Sequence, residues 1–134
     1  MTTEAETIAR LKTASATEPI SQFLGMKLVE LTPGYAKIAL QLKQEYQNFN
    51  GYVFGGIIGA IADQAFAYGS NSLAYASVAT QFNINFISAA GAEDLLTAEC
   101  KVLRSGKRSG VSEITVTNQT GKMIAKATGV TVRV

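Results

Sequence analysis

The feature that most constrains the fold is a long apolar segment with a single acidic residue near its middle. Between Phe54 and Tyr68 nearly every residue is apolar or glycine, and Asp63 is the exception that carries a charge. A continuous apolar run of this length is typical of a buried helix rather than of a strand. Its most apolar part, Val53 to Ala62, is too short to span a bilayer. We therefore predict a helix over about Gly55 to Ser70 that is buried on all sides.

Alternating sequences on both sides of this helix predict antiparallel strands. Two strands, Leu24 to Leu31 and Tyr35 to Leu42, precede it around the turn Thr32-Pro33-Gly34. Four strands in a meander follow it, the last over Lys122 to Val134. One antiparallel sheet of about six strands has one face to bury, and a helix of about four turns can cover it. The predicted fold class is α+β, with the sheet wrapped around one long central helix.

The beginning of the chain predicts a second, shorter helix. Thr3-Glu4-Ala5-Glu6 has the form of a capping box, and apolar residues recur at helical spacing up to about Ala16. The first residues are polar and acidic, unlike a signal or transit peptide, so the expected location is the cytoplasm, without a membrane partner. We expect an N-terminal helix within residues 1–17 and a single domain over residues 18–134.

Composition excludes several kinds of chemistry. The net charge is +2 and no basic stripe alternates with aromatic residues, so no nucleic-acid partner is expected. The single cysteine, Cys100, alternates with apolar residues, which predicts that it is a buried hydrophobic residue. With one cysteine in the sequence, we expect no metal site. The sequence has no histidine, which excludes Ser-His-Asp and Cys-His nucleophiles and a histidine base. An enzyme made from this chain would use a carboxylate, a lysine or backbone groups.

Asp63 shares one face of the predicted helix with small residues. On a helix, Gly56, Gly59, Ala60, Asp63 and Ala67 lie along one side, which we call the small-residue stripe. Two glycines in a helix interior cost roughly 1 kcal/mol each relative to alanine, so a second chain or a ligand should approach closely there. One interpretation of Asp63 is structural, with hydroxyl or amide partners. The other is that the carboxylate activates a water molecule.

The start of the helix, Gly55-Gly56, has the properties of an oxyanion site. Its first N–H groups have no partner within the helix, and the positive end of the helix dipole lies there. Gly55 and Asp63 are eight residues apart, about 12 Å along a helix axis, so one helix cannot bring both to one carbonyl. Two antiparallel copies of the helix could do so. We therefore predict at least a homodimer, with any active site at the subunit interface.

The segment Asn48-Phe49-Asn50-Gly51-Tyr52-Val53-Phe54-Gly55-Gly56, followed by Asp63-Gln64-Ala65, resembles the motif of the hotdog-fold acyl-CoA thioesterases. The resemblance is to the PaaI-like branch and covers about Pro19 to Val134. It implies a hotdog fold and hydrolysis of a small or aromatic acyl-CoA to the free acid and coenzyme A. No cofactor is implied beyond the coenzyme A of the substrate. The implied assembly is a homodimer, and a homotetramer as a pair of dimers.

The resemblance also implies a role for individual residues. Asp63 matches the catalytic acid, which acts as a base on water or as a nucleophile. Gly55 matches the glycine whose N–H polarises the thioester carbonyl, and Asn48 matches the asparagine that orients the carbonyl or the water. Thr80 lies near the position of a supporting hydroxyl. The motif's histidine is Phe54 in this sequence, so a non-catalytic protein that binds acyl-CoA in the same groove is the alternative.

The groups expected to bind substrate come from three parts of the chain. One part is a basic cluster at a hairpin tip that includes Arg104, Lys107 and Arg108. This cluster could contact the phosphates of coenzyme A, or it could be a solvated turn. Tyr52 and Phe54 could line an acyl pocket or pack at a dimer interface. A hydratase of similar fold would use a histidine, which this chain lacks. The predicted substrate-binding residues are Phe54, Gly56, Thr80, Arg104, Lys107 and Arg108.

Overall fold

A computed structural model of the chain describes residues 2–134, so the first residue of the predicted N-terminal segment 1–17 lies outside the described residues. The described part combines helices with one antiparallel sheet, as predicted. The helices are α1 (Glu4–Thr17), α2 (Pro19–Leu24) and α3 (Gly55–Asn71), with a short 3-10 helix at Gln44–Tyr46. The strands are β1 (Lys27–Thr32), β2 (Tyr35–Gln41), β3 (Ser77–Phe86), β4 (Leu95–Ser105), β5 (Ser109–Thr117) and β6 (Met123–Arg133).

The six strands form one sheet in the order β1-β2-β4-β5-β6-β3, and every neighbouring pair is antiparallel. Helix α3 packs against β2, β4, β5 and β3, so the prediction of a sheet wrapped around one central helix is confirmed. The prediction that the last four strands form a meander is wrong for the first of these strands, β3. Strand β3 pairs with β6 at the far edge of the sheet, and the chain then returns to place β4 beside β2.

The N-terminal helices differ from the prediction at one point. Helix α1 begins as expected, because the Thr3 hydroxyl accepts a hydrogen bond from the Glu6 N–H at 3.1 Å. The strand predicted over Leu24 to Leu31 is shorter, since α2 occupies Pro19–Leu24 and β1 begins only at Lys27. Pro19 stands in the first turn of α2, where a missing N–H costs no hydrogen bond. Gly25 then ends the helix at φ +84°.

One side of α3 forms the centre of the core. Its buried residues include Ile58, Ile61 and Phe66, which face the sheet. The helix approaches the sheet closely at Gly69, where an added Cβ would lie 2.6 Å from the Cys100 sulfur. Burial raises the pKa of the Cys100 thiol to about 11, which agrees with its prediction as a buried hydrophobe. Within residues 2–134, every helix is too short or too polar to cross a lipid bilayer.

Candidate active site

The loop before α3 positions the start of that helix. The Asn48 side-chain oxygen accepts hydrogen bonds from the backbone N–H groups of Asn50 at 2.9 Å and Tyr52 at 3.1 Å. The Phe54 N–H donates to the Tyr46 carbonyl at 2.8 Å, which fixes the residue before the helix. The oxygen of Asn48 is thus used within the loop. Its amide nitrogen is the group with which the side chain can donate to a ligand.

The first turn of α3 has N–H groups available at Gly55 and Gly56, whereas the Ile57 N–H donates to the Phe54 carbonyl at 2.9 Å. Helices leave their first N–H groups without an intrahelical acceptor, and a polar N-cap side chain usually accepts from one of them. Phe54 occupies the N-cap position here and makes no capping hydrogen bond. Gly55 and Gly56 follow as the first two helical residues. The turn therefore presents backbone donors and the positive end of a dipole to whatever binds beside it.

A cavity of about 280 Å³ opens beside Gly55. Its walls include Tyr52, Ile58, Phe86 and Ile87, while Phe54 is not among its lining residues. Tyr52 therefore lines a cavity, and its two predicted roles, in an acyl pocket or at a dimer interface, stay predictions. Phe86 was not singled out from the sequence. In the sequence, Phe86 alternates with Phe82 and Ile84, which pack against the core. This alternation is the signal that could have identified Phe86.

Asp63 lies on the outside of α3 rather than inside the core. In the single chain Asp63, Gly56 and Ala67 are exposed, so the chain's own sheet does not cover this face of the helix. Local apolarity predicted burial, but the sheet covers only the other side of α3. Neighbouring apolar groups still desolvate the Asp63 carboxylate partly and raise its pKa above the ordinary aspartate value. Desolvation, not a hydrogen bond to the carboxylate, is the cause of this shift.

Gln64, the neighbour of Asp63, is a buried polar residue of α3. Gln64 is 8% exposed, and its amide donates to the Glu18 carboxylate at 2.5 Å and to the Ser21 hydroxyl at 2.9 Å. Burial and the nearby Glu18 charge raise the pKa of Tyr68, one turn further along, to about 12. These contacts fix α2 against the middle of α3. Sequence analysis missed them, since they join residues more than forty positions apart.

The structure groups only some of the predicted site residues within one chain. The Thr80 hydroxyl donates to the Val130 carbonyl at 3.3 Å, partway along β3. The basic hairpin between β4 and β5 lies at the end of the sheet where α3 ends, because Ser72 and Val102 both hydrogen-bond Gly34. Helix α3 is about 25 Å long. Asn48, Phe54, Gly55 and Gly56 therefore lie together, whereas Asp63, Thr80, Arg104, Lys107 and Arg108 lie further along the chain's own helix and sheet.

Comparison with known proteins places this arrangement in a family. The sequence profile of the thioesterase superfamily matches residues 50–125. The acyl-coenzyme A thioesterase PaaI of Escherichia coli K12 is 34% identical over 102 residues, covering 76% of this chain and 73% of the relative. The structure of E. coli PaaI superimposes with a TM-score of 0.88 at 29% identity, covering 95% of this chain and 94% of that one.

A second solved structure comes from Streptococcus mutans and has acetyl-CoA bound. It superimposes with a TM-score of 0.77 at 26% identity, covering 80% of this chain and 86% of that one. The chain belongs to the thioesterase superfamily. Within that superfamily it is a PaaI-like thioesterase with the hotdog fold, so the predicted resemblance and the predicted enzyme class are confirmed.

Proposed function

We propose that the protein hydrolyses acyl-CoA thioesters whose acyl group is small or aromatic, giving the free acid and coenzyme A. The observation that carries the proposal is Asp63, a carboxylate of raised pKa on the exposed face of the helix that begins uncapped at Gly55. A raised pKa makes a carboxylate a stronger base, and free N–H groups stabilise an oxyanion. The chain has no histidine that could take either role.

The proposed reaction uses three groups. The Gly55 N–H polarises the thioester carbonyl, and the Asn48 amide nitrogen orients the carbonyl or the water. Asp63 takes a proton from that water while the water oxygen bonds to the carbonyl carbon. The carbon–sulfur bond then breaks, and the coenzyme A thiolate leaves and is protonated. In the related form of the mechanism, the Asp63 carboxylate attacks the carbonyl carbon itself, the carbon–sulfur bond breaks and the coenzyme A thiolate leaves. Water then hydrolyses the resulting anhydride to the free acid and the Asp63 carboxylate.

The site requires two copies of the chain in this proposal. Gly55 and Asp63 are separated by about 12 Å along one continuous helix, too far to act on one carbonyl. In an antiparallel pair of α3 helices, the small-residue stripe of one copy, exposed at Gly56, Asp63 and Ala67, would lie against that of the other. Asp63 of one copy would then approach Gly55 of the second. The same pairing would bring Thr80 and the basic hairpin of one copy toward the helix start of the other.

Coenzyme A would lie in the groove between the two copies. Arg104, Lys107 and Arg108 are all exposed and can reach phosphate groups. In this arrangement the nucleotide end meets the basic hairpin, Phe54 and Gly56 lie beside the reacting end, and Thr80 supplies a hydroxyl. The related Streptococcus mutans structure with acetyl-CoA supports a coenzyme A ligand for this fold.

One observation favours a second candidate function. Phe54 stands where the family motif has a histidine, and it cannot exchange protons or donate a hydrogen bond. A protein that binds acyl-CoA without hydrolysing it would keep the groove and could lose that residue. Release of free thiol from a panel of acetyl-, hexanoyl-, phenylacetyl- and succinyl-CoA separates the two functions. Tight binding of a thioester without thiol release would establish the binding protein instead.

The shared site predicts a dimer that one substitution can break. A Cβ at Gly59, in the middle of the small-residue stripe, meets no atom within 4 Å in the single chain. Gly59→Leu should therefore fold but prevent close pairing of the two helices. We expect light scattering to show a dimer or larger assembly for the wild type, a monomer for Gly59→Leu, and loss of hydrolysis with the dimer.

Thr13→Leu, at an exposed position of α1, is the matched control and should remain assembled. A wild-type protein that is monomeric at micromolar concentration would contradict the shared site. A fully assembled and active Gly59→Leu variant would contradict pairing through the stripe.

A further inference from the structure

A groove runs along one edge of the sheet, between strand β1 and helix α1. Three adjoining cavities form it, with volumes of about 430, 550 and 420 Å³. The first shares Lys12 and Leu31 with the second, and Ser15 and Leu28 with the third. Helix α1 is about 21 Å long and β1 about 20 Å long, so the groove follows both elements over their length. We call it the α1–β1 groove.

The groove lies along the edge of β1 rather than over one of its faces. Successive residues of a strand point to opposite faces, so a cavity over one face would be lined by every second residue. Here five consecutive residues line the cavity, namely Leu28, Val29, Glu30, Leu31 and Thr32. Strand β1 is at the edge of the sheet and pairs with β2. Among residues 2–134, no backbone group of β1 has a hydrogen-bond partner outside that pair, so its outward N–H and C=O groups can bind another strand.

The opposite wall of the groove is a helix face made mostly of small side chains. Its residues lie within about 120° of arc around α1 and are Ala5, Ile8, Ala9, Lys12, Ser15 and Ala16. Lys12 is exposed and forms no ion pair with any of residues 2–134. Glu4, at one end of the groove, is about 12 Å from it along the helix axis. Glu30 pairs in register with Lys37 instead.

The spacing of the two walls suits an extended chain. Alternate side chains of a strand are about 6.6 Å apart, and residues four apart on a helix are about 6 Å apart along its axis. Side chains on one face of an added strand would therefore meet successive turns of α1. Two of those turns present Ala5 and Ala9, which leave room for apolar side chains, and the next presents the Lys12 ammonium.

We propose that the α1–β1 groove binds an extended segment of another protein, which joins β1 as a further strand of the sheet. Main-chain hydrogen bonds to β1 hold the segment, and the side chains that point at α1 select it. The segment has apolar side chains toward Ala5 and Ala9, an acidic side chain toward Lys12, and no proline at its centre. The bulge between Leu28 and Glu30 interrupts the ladder, which favours a short partner over open-ended stacking.

Other occupants fit the groove less well. A second copy of the chain carries its own α1 beside its own β1, and the two α1 helices would meet. An acyl chain would cover the apolar wall but would leave the main-chain groups of β1 without partners, which is costly. The groove shares no lining residue with the cavity beside Gly55, so this inference does not depend on the proposed hydrolysis.

Selection from a library of random heptapeptides displayed on phage tests the inference, with the purified protein as the target. The selected peptides should alternate apolar and polar residues, carry an acidic residue and lack proline at their centre. Hydrogen exchange of the β1 amides should become slower when a selected peptide binds, because those groups gain partners. The same selection on Lys12→Glu should give peptides with a basic residue in place of the acidic one.

A pair of variants tests the position of the peptide. Ala9→Trp fills the groove and should lower the affinity for the selected peptides by at least about 10-fold. Ala14→Trp is the matched control, because Ala14 is exposed on the opposite side of α1 and should bind the peptides as the wild type does. Unfolding in urea should be similar for the two variants, which shows that both are folded.

Four results would overturn the inference. They are selection of no peptide by the wild type, equal binding of the selected peptides by Ala9→Trp, unchanged hydrogen exchange in β1, and the same acidic peptides selected by Lys12→Glu. A smaller assembly for Ala9→Trp than for the wild type in light scattering would assign the groove to a second copy of the chain, and would also overturn it.

Discussion

Asp63→Asn should hydrolyse acyl-CoA at least about 10²-fold more slowly than the wild type, because loss of a general base typically costs 10²–10⁴-fold in rate. Asparagine keeps the shape of the side chain but cannot accept the proton of the attacking water. Thioester binding should persist, since the helix start at Gly55 and the cavity beside it are unchanged. Single-turnover thiol release measures the chemical step, and titration with the same thioester measures binding.

The pH dependence of the rate should identify Asp63 as the group responsible. A base acts in its ionised form, so the rate should fall as the pH drops through the pKa of Asp63, which desolvation raises above the ordinary value. The sequence contains no histidine, whose titration near pH 6.5 would otherwise obscure this limb. In Asp63→Asn the acid limb should be absent from the residual rate. An unchanged acid limb in the variant would assign the base to another group.

The same pKa shift predicts an effect on stability. Because the pKa of Asp63 is raised in the folded state, folding favours the protonated form, and stability increases as the pH falls through that pKa. The ionised carboxylate therefore lowers stability at pH 7. Asp63→Asn should be at least as stable as the wild type at that pH, as judged by thermal unfolding, while its activity is lost. Such a trade-off is expected where a group is kept for function.

Asp94→Asn is the matched control, since Asp94 is the other aspartate of the sequence. Hydrogen bonds from the Gln119 side chain and the Gly91 N–H lower the pKa of Asp94. The ionised form of Asp94 therefore contributes to the stability of the folded state. This contribution is fully present above the pKa of Asp94 in the unfolded state, and it is lost as the pH falls through the lower pKa of the folded state. Asp94→Asn should lower the unfolding temperature at pH 7 and leave the chemical step in place. Equal losses of activity in both variants would contradict a special role for Asp63.

The elements of the fold followed from local patterns, whereas their arrangement did not. Alternation with period 2 and the long apolar run identify strands and helix α3, because both patterns depend on neighbours in sequence. The position of β3 beside β6 depends on pairing between residues far apart, such as Phe82 with Gly129. Helix α2 was not predicted from the sequence, although a proline such as Pro19 fits the first turn of a helix.

The candidate site was predictable to the extent that it lies within one continuous segment. Asn48, Gly55 and Asp63 come from the loop and helix that the sequence places in order. Which side of α3 faces the sheet is not set by that segment, since apolar and small residues occur all round it. Gln64 is buried because Glu18 and Ser21 reach it from α2, and Phe86 reaches Gly55 from β3. These contacts form only in the folded chain, so the sequence of the segment alone does not predict them.

Gly129→Ala should be among the most destabilising single-methyl changes in this chain. Gly129 lies in β6 opposite the Phe66 ring, and an added Cβ would lie 2.5 Å from Cε2 of that ring. Phe66 is 1% exposed and stacks on Phe82 with the ring centroids 5.9 Å apart, so the ring has no free space to enter. Overpacking a filled core typically costs ~1–3 kcal/mol, and we expect the free energy of unfolding in urea to fall by about this amount.

Two further variants test whether the methyl group and the ring are the cause. Thr128→Ala changes the neighbouring residue on the exposed face of the same strand, and it should alter the free energy of unfolding by no more than about 0.5 kcal/mol. Phe66→Leu removes the ring and is itself destabilising, but it leaves room for the methyl group. The loss in Gly129→Ala/Phe66→Leu should therefore be smaller than the sum of the two single losses, since residues in contact are coupled. Strictly additive losses would mean that the alanine methyl does not meet the Phe66 ring, and the close approach of β6 to α3 at this glycine would have to be revised.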